Sequence, residues 1–493
     1  MHNVFYHKRK QVSIATSRKN EYSLRTQFII GILSLAGVGY EIASGLYPIS
    51  RSYYTELGQW AEKILNIMFF SDRRVRGIIL VTDGFIQRCV LALSYYCRSP
   101  IERIVMFFDL VVGIHVSKGK IDTIRKEARQ KALEYEQTIP LDHIEYVSID
   151  EIFQGNQPIL TGIDLQSGYA FELEPAKDRS GNSWAKSLAE KQLRGLEPKM
   201  IVSDGGSGLR SGAESVFPGH TRQLDVFHSL REMGQIVKKQ ERFVMKQLKR
   251  TCDLEKKVKD WNYTGKEFLE FSARRDSIDK DLKNYDSFEI LYSWLKEYLG
   301  FTGYGYTMSE NICSWILDEM AALYPEQHKF QSFLNHFRKR LPELLQHLRK
   351  LQKEMELAAA AYHVESHAFQ LMYRQQAYPA NSKEYALVEK RLRHLFRNQL
   401  SKARATLDDI QKNCFRASSM VENLNSRIRP FIDEKRRVFH KDFSMIRFFL
   451  NTMKPFRSRK CERKGRSALD RLTGKECPEF LDIVADKMDY YVA

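Results

Sequence analysis

The chain has 493 residues, 43% of them apolar, so it can fill packed cores and is too long for one ordinary domain; roughly two to four domains are expected. Its formal net charge is +17, and +10 of that lies in the 45 residues Arg427–Arg471, where 15 Lys/Arg face 5 Asp/Glu. Such a block suits a polyanion, because basic side chains release counterions condensed on phosphate; it equally suits a solvated basic tail. The seven cysteines, Cys89, Cys97, Cys252, Cys313, Cys414, Cys461 and Cys477, are scattered without a CxxC pair, which argues against a zinc site or a secreted disulfide framework and for a reducing cytosol. Met1–Asn20 is polar and basic, with no apolar signal-peptide core. The longest apolar run, Phe28–Tyr40, falls short of the ~18 residues of a membrane span. A soluble, cytoplasmic protein without a membrane partner is expected.

After the basic tail of residues 1–20, residues 21–140 read as almost wholly helical. Leu24–Leu35 forms an apolar helix, Gly37 a break, Tyr40–Ser44 a short second helix, and Gly45-Leu46-Tyr47-Pro48 a turn. Ser50 then caps a third helix, Arg51–Leu65, whose exposed start carries Arg51, Tyr53 and Tyr54. A second unit runs from Ile101 through Gly113, with Ser117 capping a helix to Gln137 that carries Lys118, Lys120 and Arg125 near its start. Both have the pattern of a helix-turn-helix, whose recognition helix reads bases from its N-terminal turns; both also suit an ordinary bundle with basic surfaces.

Residues 141–236 alternate strand and helix. His143–Ile149 reads as a strand ending at Asp150, and Ile159–Leu165 and Tyr169–Glu174 as two more around the Gln166-Ser167-Gly168 turn. Helix Ser183–Arg194 follows, then strand Lys199–Ser203 ending at Asp204, a short helix Ser211–Val216, strand Arg222–Val226, and a long helix from Leu230. An α/β fold results, with an antiparallel meander extended by parallel strands through helical crossovers. Residues 237–412 return to long amphipathic helices. Phe333, Phe337, Leu341, Leu344, Leu348, Leu351 and Met355 mark the core face of one long helix. Trp315 reads as core, or as a surface for stacking on a flipped base.

Asp150 and Asp204 would meet at one sheet edge if their strands are neighbours, at the carboxyl ends where open sheets bind ligands. Carboxylates brought that close repel unless a cation lies between them, and Mg²⁺ or Mn²⁺ prefers such oxygens. Glu422 is the best third acid. It shares a helix face with Asn425 and Arg429, a carboxylate, an amide and a guanidinium suited to metal ligation beside a phosphate. Asp164 also ends an apolar strand but leads straight into a tight turn. Glu151 should face the other side of the sheet. Glu434 is the fallback for Glu422.

The runs YVSIDE, IVSDGGSGL, LDVFH, SSMVENLNSR and GRSALDRLTGKE together resemble the catalytic core of bacterial insertion-sequence transposases of the DDE type. The resemblance covers residues 141–236 and 413–475, about a third of the chain. It implies a ribonuclease-H-like mixed five-stranded sheet with a helical N-terminal DNA-binding region and a large all-α insertion. The divisions it suggests are 21–140 for DNA binding, 141–236 and 413–455 for the catalytic core, 237–412 for the insertion, and 456–493 for a basic C-terminal segment. It implies Asp150, Asp204 and Glu422 as catalytic ligands of two Mg²⁺ or Mn²⁺ ions. Arg51, Tyr54, Lys118, Lys120, Arg125, Asn425 and Arg429 would contact DNA. LDVFH resembles the Asp/Cys-x-x-His signature of several transposase superfamilies, so His228 contacts DNA or is a core histidine at a capped helix start. The partners implied are terminal inverted repeats, target DNA and a second copy of the chain, in a bacterial cytoplasm and nucleoid-associated. The Tyr/Arg/Glu/Lys spacing that some transposases carry around their Glu is not found. Gly205-Gly206-Ser207-Gly208 lacks the Lys-Ser/Thr of a P-loop and reads as a turn that admits a DNA backbone. A non-catalytic DNA-binding regulator and a structure-specific nuclease of the same fold are the alternatives.

Overall fold

The structure, a computed structural model, describes residues 22–47, 49–69, 78–79, 81–301, 303–417, 419–432, 440–455, 457–458, 463–487 and 490–491. The tail at 1–20, Glu434 and much of the basic block between 433 and 462 lie outside the described residues. The chain divides into two compact units, Ile139–Cys477 and Met1–Thr138 with Pro478–Ala493.

The larger unit is built on a mixed sheet of five strands: β1 (Tyr146–Gln154), β2 (Gln157–Asp164), β3 (Ala170–Pro175), β4 (Met200–Ser203) and β5 (Thr221–Leu224), in spatial order β3-β2-β1-β4-β5. β1, β2 and β3 pair antiparallel, whereas β1–β4 and β4–β5 pair parallel. The parallel pairs are joined through helices α1 (Gly181–Gln192) and α2 (Ser207–Val216). Val147, Ile149, Ile159, Leu173 and Val202 are buried in the sheet. Trp184 of α1 is fully buried, as apolar packing of the crossover requires.

Asp150 does not end its strand. β1 runs four residues further, because β2 continues to pair with it as far as Gln154↔Gln157. The parallel partner stops sooner: the pairing of β1 with β4 ends at Ser148↔Val202. Asp150 therefore stands beyond the carboxyl end of the parallel pairing. Within the Gly205–Gly208 run, a Cβ on Gly208 would lie 2.0 Å from the Arg179 carbonyl oxygen, so this glycine admits the start of α1 against α2, while Gly206 and Ser207 are exposed.

Between β5 and the last part of the sheet unit come eight helices: α3 (Val226–Lys259), α4 (Gly265–Tyr298), α5 (Tyr306–Leu323), α6 (His328–Leu344), α7 (Gln346–Ala361), α8 (His367–Gln375), α9 (Lys383–Phe396) and α10 (Leu400–Lys412). They share one core that includes Met233, Leu295, Leu317, Phe337, Leu348, Phe369 and Phe396. The apolar stripe from Phe337 to Met355 is buried as expected, but its one long helix is two. α6 stops at Leu344 and α7 starts at Gln346. Pro342 lies inside α6 and removes only the donor to the carbonyl one turn before it, upstream of the break. The fully buried Gln223 of β5 then bridges the break, donating to the Leu344 carbonyl at 3.0 Å and accepting from the His347 N–H at 2.7 Å. Trp315 is 46% exposed and stacks on Trp294, ring centroids 6.0 Å apart, so it is not the core residue anticipated.

Helices α11 (Ser419–Ile432), α12 (His440–Thr452) and α13 (Ala468–Thr473) complete this unit. α11 packs on β1 and β2, and α12 on β3. The side-chain amide of Asn451 pairs with both main-chain groups of Ala170, at 2.8 and 2.9 Å. Two arginines of the basic block turn inward: Arg447 is buried against Glu174 at 3.4 Å, and Arg427 donates to the Leu450 carbonyl at 3.3 Å. The block is therefore not a wholly solvated, phosphate-facing surface.

In the smaller unit, helices Leu24–Leu35, Tyr40–Leu46 and Arg51–Phe69 enclose Ile30, Ala43, Tyr54 and Leu57. Helices Asp83–Tyr95, Ile101–Phe107 with a π turn Phe108–Val112, and Lys118–Gln137 follow. Ser117 caps the last, accepting from the Lys120 N–H at 3.2 Å. The segment after Cys477 belongs here, so 456–493 is not one continuous element. Phe480 packs edge-on against Tyr95, and Asp482 and Asp486 pair with Arg88 and Lys131 at 2.7 and 2.9 Å. No helix of the described residues is long and apolar enough to cross a membrane.

Candidate active site

A cleft of about 390 Å³ opens at the carboxyl end of β4, lined by Asp150, Glu151, Asp204, His228, Glu422, Asn425 and Arg429, with Arg179 and Arg231. Three carboxylates that are 54 and 218 residues apart in sequence thus reach one cavity wall. β1 delivers Asp150, the residue after β4 is Asp204, and the first turn of α11 carries Glu422. On α11 the buried face of Val421, Leu424, Ile428 and Ile432 seats the helix on the sheet. That leaves Glu422, Asn425 and Arg429 toward the cleft, as their spacing on one face requires.

Asp150 is held from three sides. Its carbonyl accepts from the Thr161 hydroxyl at 2.9 Å, Oδ1 accepts from the Glu151 N–H at 2.8 Å, and Oδ2 accepts from Asn425 Nδ2 at 2.8 Å. Burial raises its pKa to about 6; the Asp204 and Glu422 charges push the same way, against the Glu151 N–H and the Asn425 amide. Asn425 is only 2% exposed, and its Oδ1 has no hydrogen-bond partner among the described residues. The amide orientation follows from the carboxylate, which accepts and cannot donate when ionised.

Asp204 sits on the turn out of β4. Its Oδ1 accepts from the Gly206 N–H at 2.9 Å, and its carbonyl accepts from Arg340 Nη2 at 2.9 Å. Asp225 caps α3, accepting from the N–H groups of Phe227 and His228 at 2.7 and 3.1 Å. The capped helix start is therefore real, yet His228 is not a core histidine. It lines the cleft, 3.5 Å from Glu232. Asp164 serves its turn, accepting from the main-chain N–H groups of Gln166 and Ser167 and from the Ser167 hydroxyl.

Among the described residues, no three His, Cys, Asp or Glu side chains stand close enough to form a metal-binding group. Asp150, Asp204 and Glu422 share the cleft wall without sharing a coordination sphere. Asp150 and Asp204 turn oxygens onto the N–H groups of Glu151 and Gly206. The donor set itself fits a hard divalent cation: carboxylate oxygens, plus an orphaned, buried amide oxygen on Asn425.

Three residues of the cleft wall, Glu151, Arg231 and Arg179, were not expected there, nor was Arg340 at the turn after Asp204. Glu151 lines the cleft although its carboxylate also reaches the α1 side, accepting from Trp184 Nε1 at 2.8 Å and lying 3.9 Å from Arg179. Arg231 could have been found, since it follows His228 by three on a helix. Arg179 lies in a loop with no pattern, and Arg340 was hidden among the basic residues of the insertion.

The remaining expected contacts belong to the smaller unit. Arg51 is exposed, its guanidinium over the Tyr40 ring at 5.4 Å. Tyr54 is 6% exposed, with its hydroxyl on the Val38 carbonyl; it is a core residue of the three-helix unit and cannot contact DNA as placed. Lys118 and Lys120 are exposed and pair with Glu102 at 2.9 Å and Asp83 at 3.4 Å, and Arg125 is partly buried.

Compared with known proteins, the chain matches no family model and no curated sequence.

Proposed function

We propose that this cleft is the phosphoryl-transfer site of a DNA transposase of the DDE type, on a ribonuclease-H-like core. The observation that carries the reading is the convergence of Asp150, Asp204 and Glu422 on one cleft with a buried, unpartnered Asn425 oxygen. The five-stranded mixed sheet and the all-helical insertion before α11 are of the kind that reading requires. Asp150, Asp204 and Glu422 would hold two Mg²⁺ or Mn²⁺ ions. Such ions activate an attacking oxygen and stabilise the leaving one during in-line displacement.

The chain's own groups do the rest. Asn425 orients the Asp150 carboxylate through its amide N–H. Arg231, Arg429 and Arg179 line the cleft where a phosphodiester would enter, and guanidinium groups match phosphate geometry. His228, held off Glu232, is placed to contact the same phosphate. Cutting at an element end frees a 3′-hydroxyl, which then attacks target DNA, so two ends and a homodimer or larger assembly are required. The exposed Arg51, Lys118 and Lys120 are the contacts this reading assigns to terminal repeats.

The test incubates the full chain with a labelled terminal repeat and a target plasmid, with Mg²⁺ and then with chelator. Metal-dependent joining of the 3′ end to the plasmid supports the transposase. Cutting without joining makes the protein a nuclease, and binding alone makes it a regulator.

A further inference from the structure

We propose that the helical insertion sets the position of Asp204, and that Arg340 is the residue through which it does so. The proposal rests on the reading of the cleft as a divalent-cation site. Arg340 lies on α6, far in sequence from the sheet, with its side chain 21% exposed. Its Nη2 donates to the main-chain carbonyl of Asp204 at 2.9 Å. Its Nη1 lies 4.0 Å from Glu232, which in turn lies 3.5 Å from His228. One guanidinium thus touches the backbone of an acid and the partner of the cleft histidine.

The turn it holds is made to receive it. Gly205 has φ +84°, the left-handed region that favours glycine. A Cβ there would lie 3.0 Å from Arg340 Nη2 and 2.8 Å from Leu224 Cδ2. The insertion is fixed to the sheet a second time through Gln223, which clamps the α6–α7 break. α6 therefore meets the sheet at β5 and at the Asp204 turn together, and Arg340 cannot shift without moving one of them.

Electrostatics gives the argument its sign. A positive charge beside a cation site opposes cation binding. Among the described residues no ion pair joins Arg340 to the Asp204 carboxylate; its contact is to the main-chain oxygen. Arg340 has Glu232 as its charge partner at 4.0 Å, and its contact with the Asp204 main chain would orient that acid as outer-shell groups orient metal ligands elsewhere. Arg340 is a positioning residue.

The experiment is a Mn²⁺ titration of the full chain, followed by electron paramagnetic resonance, on wild type, R340A, R340K, K339A and D204N, each checked for folding by circular dichroism. Lys339 is the exposed neighbour on the same helix and removes the same charge without touching the turn. If Arg340 positions Asp204, R340A weakens Mn²⁺ binding by ~10-fold or more, R340K recovers part of it, and K339A stays within about twofold or binds slightly tighter. Amide exchange at Gly205 and Gly206 also speeds up in R340A. If R340A does not fold, R340Q carries the same comparison. Mn²⁺ binding by R340A as tight as wild type or tighter, while D204N loses it, overturns the proposal and leaves the cleft reading standing. Wild type that does not bind Mn²⁺, or D204N that binds like wild type, sinks the cleft reading and this proposal with it.

Discussion

Two groups of acids stand on the same sheet with different partners. At the β3 edge, the fully buried Glu172 and its neighbour Glu174 face Lys191 at 3.2 and 3.0 Å, and Glu174 also faces Arg447 at 3.4 Å. Ser187 donates to Glu172 at 2.7 Å. Lys191 and Arg447 hold Glu174 below its usual range, while burial still raises Glu172 to about 7. In the cleft, Asp150 has an amide and an N–H but no ion pair among the described residues; burial raises it to about 6, and the Asp204 and Glu422 charges push the same way. Acids given dedicated cations by the chain are structural, since a buried charge persists only when matched. Asp150 has no such dedicated partner among the described residues, and a perturbed carboxylate in a cleft is the pattern of a candidate functional site.

The largest effect that would break this comparison is on chemistry. Asp150→Asn keeps the shape but removes a hard oxygen anion, so strand cutting should fall by roughly 1,000-fold in Mg²⁺. Thermal unfolding should show no loss of stability, since the variant no longer buries a carboxylate. Equal cutting by the variant, or a marked fall in its melting temperature, would put Asp150 with the structural acids.

The opposite result is expected at β3. Lys191→Ala strands Glu172 in the core and should cost about 3–5 kcal/mol in denaturant unfolding. Pairing it with Glu172→Gln should recover most of that loss, and failure to recover it would show that Lys191 acts through packing alone.

A smaller effect comes from pH. The folded-state pKa of Asp150 lies above its unfolded value, at about 6. Its ionisation is therefore harder in the fold, and metal-free stability should fall as pH rises, by about 1 kcal/mol between pH 5 and 8. Denaturant melts at the two pH values measure it. Asp150→Asn should remove this part of the slope, and Mn²⁺ should flatten it in wild type. A slope that is unchanged in the variant assigns the titration elsewhere, with Glu172 the next group to examine.

The smallest effect concerns the exposed lysines of the helix Lys118–Gln137. Lys118→Ala and Lys120→Ala should each leave stability within about 0.5 kcal/mol, because exposed pairs contribute little. Each should lower the salt slope of DNA binding by roughly one contact. An unchanged slope removes these residues from the DNA-binding surface.

Much of the larger unit was legible because its signals are local. Alternating apolar residues set the strands, and the five came in the expected order with the expected meander. The spacing of Glu422, Asn425 and Arg429 placed them on one helix face, and the cleft receives all three. Asp225 capping α3 and Ser117 capping the basic helix were equally local. What failed depended on neighbours in space. Tyr54 looked like an exposed helix start and is core, because the two preceding helices cover it. The stripe from Phe333 to Met355 kept its period across a break that the distant Gln223 bridges.

The sequence alone determined which side chains could do chemistry and which faces had to be buried, since helix and strand periods act over a few residues. Tertiary structure decided what those side chains meet. It put Asp150 past the end of β4 rather than at the end of its own strand, gave Asn425 to its carboxylate, and brought Arg340 to the turn after Asp204. Each of those is a contact across a long stretch of chain, fixed by which strand pairs with which and where a helix breaks, and neither is written in a local period.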